Sequence, residues 1–282
     1  MARTTTTRTR RPQMTDEEKK AYNAARRAEL EAIVTSAYAV LHTDPVWGAM
    51  LAVAAALPTR GPVNVVAITA QMPTATDVRG KTDWRKDGRY PAKGSTSLRV
   101  WAPMAGRSRQ AAEDAEPQAT NAADAEPTGP DRTRAKVRTF KAAPVYDVSQ
   151  TAGEPLPAAK EPAHDPAALA ANLGHSLPEA VCGDAAPTAV RELLTRLALE
   201  RLAGPETVPG QRAAEAASAA HLAARMLRIP PGPAPAPAPA LGGIVTGAQF
   251  TPAIKDAAER VIATGRALAD LATGRQAADR DD

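Results

Sequence analysis

The stretch Lys86–Pro103, KDGRYPAKGSTSLRVWAP, sets Lys86, Arg89, Lys93 and Arg99 around Tyr90 and Trp101, with Gly88 and Gly94 between them. Only 3% of the chain is aromatic, so two rings among this many cations form a concentration that needs a chemical reason. From Arg79 to Arg107 there are eight Lys/Arg against two acidic residues, Asp83 and Asp87. A second basic stretch supplies Lys136, Arg138 and Lys141, together with Phe140 and Tyr146. Unpaired nucleobases stack on aromatic faces at about 1–3 kcal/mol per base while cations track the phosphates. Rings and cations sharing a surface therefore suit single-stranded nucleic acid. Duplex readout would ask for a recognition helix in a groove, and no cationic helix stands out. Gly88 and Gly94 would let backbone N–H groups approach phosphates closely. The bland alternative is that Trp84 and Trp101 fill a thin core above a solvated basic face, since aromatic residues mostly serve packing.

The elements around these residues follow from periodicity. Thr96–Ala102 alternates, with Leu98, Val100 and Ala102 on one face and Arg99 and Trp101 on the other, which predicts a strand. VNVVAITA, residues 63–70, is rich in β-branched residues and bounded by Gly61-Pro62 and Pro73, so it reads as a buried strand. A third β stretch spans 137–148, broken or bulged at Pro144. Upstream, T-D-E-E at Thr15–Glu18 is a capping box that opens a helix, and apolar residues follow at helical spacing through Leu41. A second helix is expected over Val46–Leu57, ending before Pro58 because a residue preceding proline disfavours the α region. The C-terminal part reads as helices around 190–202, 211–228 and 252–273, with PPGPAPAPAPA (Pro230–Ala240) as an extended polyproline spacer.

Composition bounds the rest. The chain has 282 residues, 26 of them proline, and a net charge of +4, a mild lean toward anionic partners. Leu, Ile, Val and Phe are scarce, so the core is small for the length and part of the chain is expected to be disordered. The single cysteine, Cys182, permits no intramolecular disulfide and fits a reducing cytoplasm. The basic N-terminus lacks the apolar region of a secretory signal. The most apolar run, 50–57, is too short to span a bilayer, so no membrane partner is expected. The expected fold class is α+β: N-terminal helices with a small, mainly antiparallel sheet, then a helical C-terminal region and disordered segments. The expected organisation is a disordered basic tail (1–14), a domain over 15–157 with a disordered insertion at 105–135, and a linker (158–166). A helical region follows over 167–275, containing the Pro/Ala/Gly-rich spacer 230–243, and then a tail (276–282).

Several segments occur in order: P-V-N-V (62–65), A-Q-M-P-T-A-T-D-V-R-G (70–80), W-R-K (84–86), G-R (88–89), K-G (93–94), R-V-W-A-P (99–103) and F-K-A-A-P-V-Y-D-V-S-Q-T (140–151). This series resembles the N-terminal single-stranded-DNA-binding domain of the ArdC antirestriction proteins, over roughly residues 30 to 157. Related plasmid primases carry a similar domain. The resemblance implies plasmid or conjugation biology, binding of incoming single-stranded DNA and resistance to restriction. Its motif falls on Asn64, Trp84, Gly88, Lys93, Gly94, Tyr146, Asp147 and Gln150, with Asn64 and Gln150 expected to hold loop structure. The expected DNA-contacting set is Trp84, Arg85, Lys86, Arg89, Tyr90, Lys93, Gly94, Arg99, Trp101, Arg138 and Lys141.

Full-length members of that family continue into a zinc metallopeptidase-like domain with HExxH on a helix. The segment that aligns here reads R-E-L-L-T (Arg191–Thr195), and the later E-A-E-S-like segment reads E-A-A-S (Glu215–Ser218), with Ala217 at the place of the acid. The four histidines, His42, His164, His175 and His221, include no i,i+4 pair. A site without its imidazoles does not hold zinc or activate water. The C-terminal region is therefore expected to be a degenerate, non-catalytic remnant, with no cofactor, metal or catalytic residue. His221 is expected to be packed in the core. The competing readings are a zinc metallopeptidase using unusual ligands and an adaptor that binds a protein partner through its C-terminal helices.

Overall fold

The computed structural model describes residues 14–104, 139–157, 164–177, 183, 185–203, 209–237 and 250–275. The basic tail, the insertion at 105–135, most of the linker, Arg138, Cys182, the end of the proline spacer and the C-terminal tail lie outside them. The protein is α+β, with eight described helices and two small antiparallel sheets.

Helix α1 covers Asp16–Val40 and opens as the capping box requires. Thr15 N–H donates to the Glu18 carboxylate at 2.7 Å, and Glu18 N–H donates to the Thr15 hydroxyl at 3.2 Å. Helix α2 covers Asp44–Ala56 and begins earlier than expected, because Pro45 sits in the first turn, where its missing N–H costs nothing. The largest departure is at residues 63–70. These form helix α3, Pro62–Gln71, rather than a strand. Val65, Val66, Ala67, Ile68 and Thr69 are all buried, so the run is apolar all round and carries no period that separates helix from strand. Pro62 in the first turn favours the helix. The polar side chains then fold back onto it: Thr69 Oγ1 donates to the Val65 carbonyl and Gln71 Nε2 to that of Ala67, both at 2.8 Å.

Strand β1 (Val78–Arg79), helix α4 (Lys81–Lys86), β2 (Arg89–Pro91), β3 (Leu98–Met104), β4 (Thr139–Asp147) and β5 (Thr151–Gly153) follow. The first sheet has the order β1-β4-β3, and β1 pairs with β4 through Val78↔Asp147 and Arg79↔Tyr146. The second joins β2 and β5 through Arg89↔Gly153, Tyr90↔Ala152 and Pro91↔Thr151. Pro144 does not break β4. In β3, Leu98 and Val100 are buried and Arg99 and Trp101 half-buried, the alternation read from sequence. The remaining helices are α5 (Pro166–Asn172), α6 (Ala185–Arg201), α7 (Pro209–Met226) and α8 (Phe250–Thr273).

The chain divides into two units, residues 1–30 with 101–142 and residues 31–100 with 143–282. The larger unit has two cores. One joins α2 and α3 (Trp47, Met50, Val65, Ile68) to Val78, Leu98 and Val145, and also to Leu222 of α7 and Ile254, Val261 and Ile262 of α8. The other is built by α5 to α8 around Leu169, Val190, Leu194, Leu227 and Leu268. The expected boundary at 158–166 therefore does not separate two cores: Trp47 Nε1 of α2 donates to Ser218 Oγ of α7 at 3.0 Å.

Helices α7 and α8 approach closely at Gly265. A Cβ there would lie 2.8 Å from the Ala219 carbonyl oxygen and 2.8 Å from Leu222 Cδ2. Gly265→Ala gains up to about 1 kcal/mol of helix propensity, but overpacking at such a contact costs about 1–3 kcal/mol. The expected result is a net loss, read as a lower urea midpoint with an unchanged slope.

Candidate nucleic-acid interface

In the larger unit, the residues singled out from sequence are organised around two backbone-binding side chains. Asp147 is buried at the end of β4. Its carboxylate accepts from the N–H groups of Thr76 (2.8 Å), Asp77 (3.1 Å) and Ser149 (3.0 Å) and from the Ser149 hydroxyl (2.7 Å). Burial pushes this carboxyl up, but the Ser149 N–H and hydroxyl and the Thr76 and Asp77 N–H groups outweigh it and hold the group below its ordinary value. Gln150 closes a capping box with Asp147, accepting its N–H at 2.9 Å. The Gln150 side-chain amide then donates to the Thr96 carbonyl at 2.8 Å, and the Gln150 backbone carbonyl accepts from Ala92 N–H and Ser95 Oγ, both at 2.9 Å. These bonds pin both ends of the turn Ala92-Lys93-Gly94-Ser95. Ser95 N–H closes that turn onto the Ala92 carbonyl at 3.0 Å, and Gly94 takes φ 87°, which L side chains rarely adopt. Gln150 thus holds loop structure, the role expected of its amide.

Two expected DNA contacts are spent inside the protein. Trp84 is fully buried, its indole N–H donates to the Tyr146 carbonyl at 2.9 Å, and the Arg79 guanidinium lies 4.8 Å from the ring centroid. Its ring is not open to a base. α4 turns this side chain inward, a short helix that the sequence pattern did not announce. Arg89 donates to Thr151 Oγ1 (2.9 Å), to the Thr151 carbonyl (3.0 Å) and to the Glu154 carbonyl, bonding β2 to β5. Its N–H groups serve the sheet rather than phosphates.

The other positions differ among themselves. Lys86 is exposed and pairs with Asp83 at 2.8 Å, a surface pair of small worth. Arg99 is half-buried, and its backbone is clamped to the Gln71 amide (2.8 and 2.9 Å). Arg85, Tyr90, Lys93 and Gly94 are exposed, Tyr90 by 53%. Neither Arg85 nor Lys93 makes an ion pair among the described residues.

The smaller unit presents its own ring–cation pairs. Trp101 is half-buried with the Arg27 guanidinium 5.6 Å from its centroid, and Tyr22, 50% exposed, lies under Arg26 at 5.1 Å. On β4, Phe140 is 54% exposed and the next residue, Lys141, is exposed on the opposite face of the strand. Phe140, Tyr22 and Arg27 were not among the expected contacts. Phe140 was legible as a ring next to a lysine, whereas Tyr22 and Arg27 sit in a helix whose spacing reads as plain amphipathicity.

The residues aligned with the peptidase motif, Arg191, Glu192, Thr195 and Ala217, line one cleft, joined by His221. Glu215 is elsewhere engaged, accepting from Arg260 at 2.6 and 2.9 Å. Among the described residues no three His, Cys, Asp or Glu side chains converge as metal ligands, and no helix is long and apolar enough to cross a membrane. No family model, curated protein or solved structure matches the chain.

Proposed function

We propose that this protein binds single-stranded DNA without strong sequence preference and is not catalytic, in a plasmid, conjugation or antirestriction setting of the ArdC type. One observation carries the reading. Tyr90 stands exposed on a small sheet that Arg89 bonds together, with Arg85 before it and Lys93 on a pinned turn after it. A phenol on an ordered backbone supplies a stacking face without an ordering penalty on binding. Arg85 and Lys93 supply phosphate contacts, and Lys141, exposed on β4, supplies another in the smaller unit. The DNA-binding and antirestriction setting rests on the resemblance of the motifs; the chemistry rests on these side chains.

The test is a salt titration of the full chain against single- and double-stranded oligonucleotides, followed by fluorescence anisotropy. Affinity for single strands should fall with salt at about 0.7 log unit per phosphate contact on a log–log plot. Tyr90→Ala should weaken binding roughly tenfold, within the 1–3 kcal/mol of one stacked base, while Tyr90→Phe retains it. Lys93→Ala should shallow the salt slope. Equal affinity for duplex and single strands, or an inert Tyr90→Ala, would refute the stacking reading.

A further inference from the structure

The cleft lined by Arg191, Glu192 and Thr195 lies between α6, α7 and the extended segment that follows α7, with a volume of about 220 Å³. His221 lines it, is only 3% exposed, and has no hydrogen-bond partner on either ring nitrogen. Leaving a buried polar group unbonded costs about 1–3 kcal/mol, and native proteins rarely keep one without a reason. The carbonyls of Pro231 and Pro233 lie close enough to favour a proton on the ring, though neither meets it in hydrogen-bond geometry.

The charged wall of the cleft is Arg191. Its Nη1 donates to the Pro230 carbonyl at 3.1 Å. The guanidinium lies against Gly232, where an added Cβ would be 3.3 Å from Nη1 and 3.6 Å from Cζ, and where φ is 74°. A residue with no side chain is therefore what lets the strap pass over the guanidinium. The other N–H groups of Arg191 make no bond among the described residues. Thr195 and Glu192 complete the wall, and the Thr195 hydroxyl is already donated to the Arg191 carbonyl at 3.0 Å.

We propose that this cleft binds a small carboxylate, received by the Arg191 guanidinium and the His221 imidazole. A planar carboxylate matches the guanidinium fork. Burial first, and then the nearby Arg225, push the imidazole below its ordinary value against the opposing pull of the Pro231 and Pro233 carbonyls; in its neutral form it offers one N–H donor and keeps one acceptor. Glu192 at the exposed side disfavours a dianion, which selects a monocarboxylate over phosphate. The space exceeds what one water needs, about 10–15 Å³, so a ligand of several heavy atoms fits.

The experiment follows the imidazole resonances of the uniformly ¹⁵N-labelled full chain during titration with sodium acetate, with sodium chloride and acetamide as controls. A His221→Gln spectrum assigns its signals among the four histidines. Acetate should shift the His221 signals saturably and leave those of His42, His164 and His175 in place. Arg191→Met should weaken the effect by about tenfold or more, the loss of one charge-assisted bond. Glu192→Gln should tighten acetate binding, a gain that misfolding does not mimic. No saturable shift at His221, an equal response to acetamide, or an unchanged affinity in Arg191→Met overturns the proposal and leaves the cleft as a pocket for water. The site is independent of the DNA-binding reading, and each can fail alone.

Discussion

Asp147→Ala is expected to lower the unfolding free energy by about 3 kcal/mol, because three backbone N–H groups and a hydroxyl lose one buried anionic acceptor. Hydrogen bonds to a charged group are the strong class. Asp147→Asn should lose almost as much. Oδ1 serves Ser149 and Oδ2 serves Thr76 and Asp77, so either orientation of the amide turns an NH₂ group toward N–H donors. The pH dependence has a definite sign. The folded carboxyl sits below its ordinary value. Its stabilisation is therefore fully present above the unfolded carboxyl pKa of about 3.9 and is lost as pH falls through the lower folded value. The gap in urea midpoint between wild type and Asp147→Asn should be widest near neutrality and close in acid. A gap that stays constant down to low pH would show that the carboxylate's charge is not what the loop uses. Since Asp147 also fixes Gln150, and Gln150 fixes the Lys93 turn, Asp147→Ala should weaken single-strand binding as well.

Arg266→Met carries the second large effect. Arg266 is 7% exposed on α8 and reaches the C-terminal end of α2. Its Nη1 donates to the Arg60 carbonyl at 2.7 Å, and Nη2 to those of Leu57 (2.9 Å) and Ala54 (3.4 Å). A helix leaves its last carbonyls without internal partners, and a cation there also meets the negative end of the helix dipole. Methionine keeps the packed stem and removes every donor, so the variant should lose about 3 kcal/mol, measured as a lower urea midpoint at constant slope. Arg266→Lys should fall between, since an ammonium cannot span carbonyls fixed by a planar fork. A midpoint unchanged in Arg266→Met would mean that water serves those carbonyls equally well.

Sequence reasoning reached the elements whose signals are local. The Thr15–Glu18 box, the alternation at 98–101 and the C-terminal helices each depend on neighbours within a turn or two. Residues 63–70 escaped because burial on every side erases the period that tells a strand from a helix. The site was half legible for a related reason. Charge and aromatic content pointed to residues 86–103 as a candidate, yet which ring faces outward depends on α4, a six-residue helix that forms against β4. Trp84 and Tyr90 look equally suited to stacking in the sequence; tertiary contacts bury one and expose the other. Arg89 and Lys93 likewise share a charge, but only Arg89 lies where the carbonyls of β5 can claim it. The cleft at His221 gave no sequence signal beyond an aligned segment, because its wall joins residues of α6 and α7 to a proline-rich strap.

The first core draws Leu222, Ile254, Val261 and Ile262 from beyond residue 200 to cover α2 and α3. A fragment cut at residue 157 would carry every expected DNA contact yet present that apolar surface to solvent, inviting self-association. Dissection of this protein by truncation is therefore expected to yield insoluble material, and activities have to be separated by point substitution in the intact polypeptide.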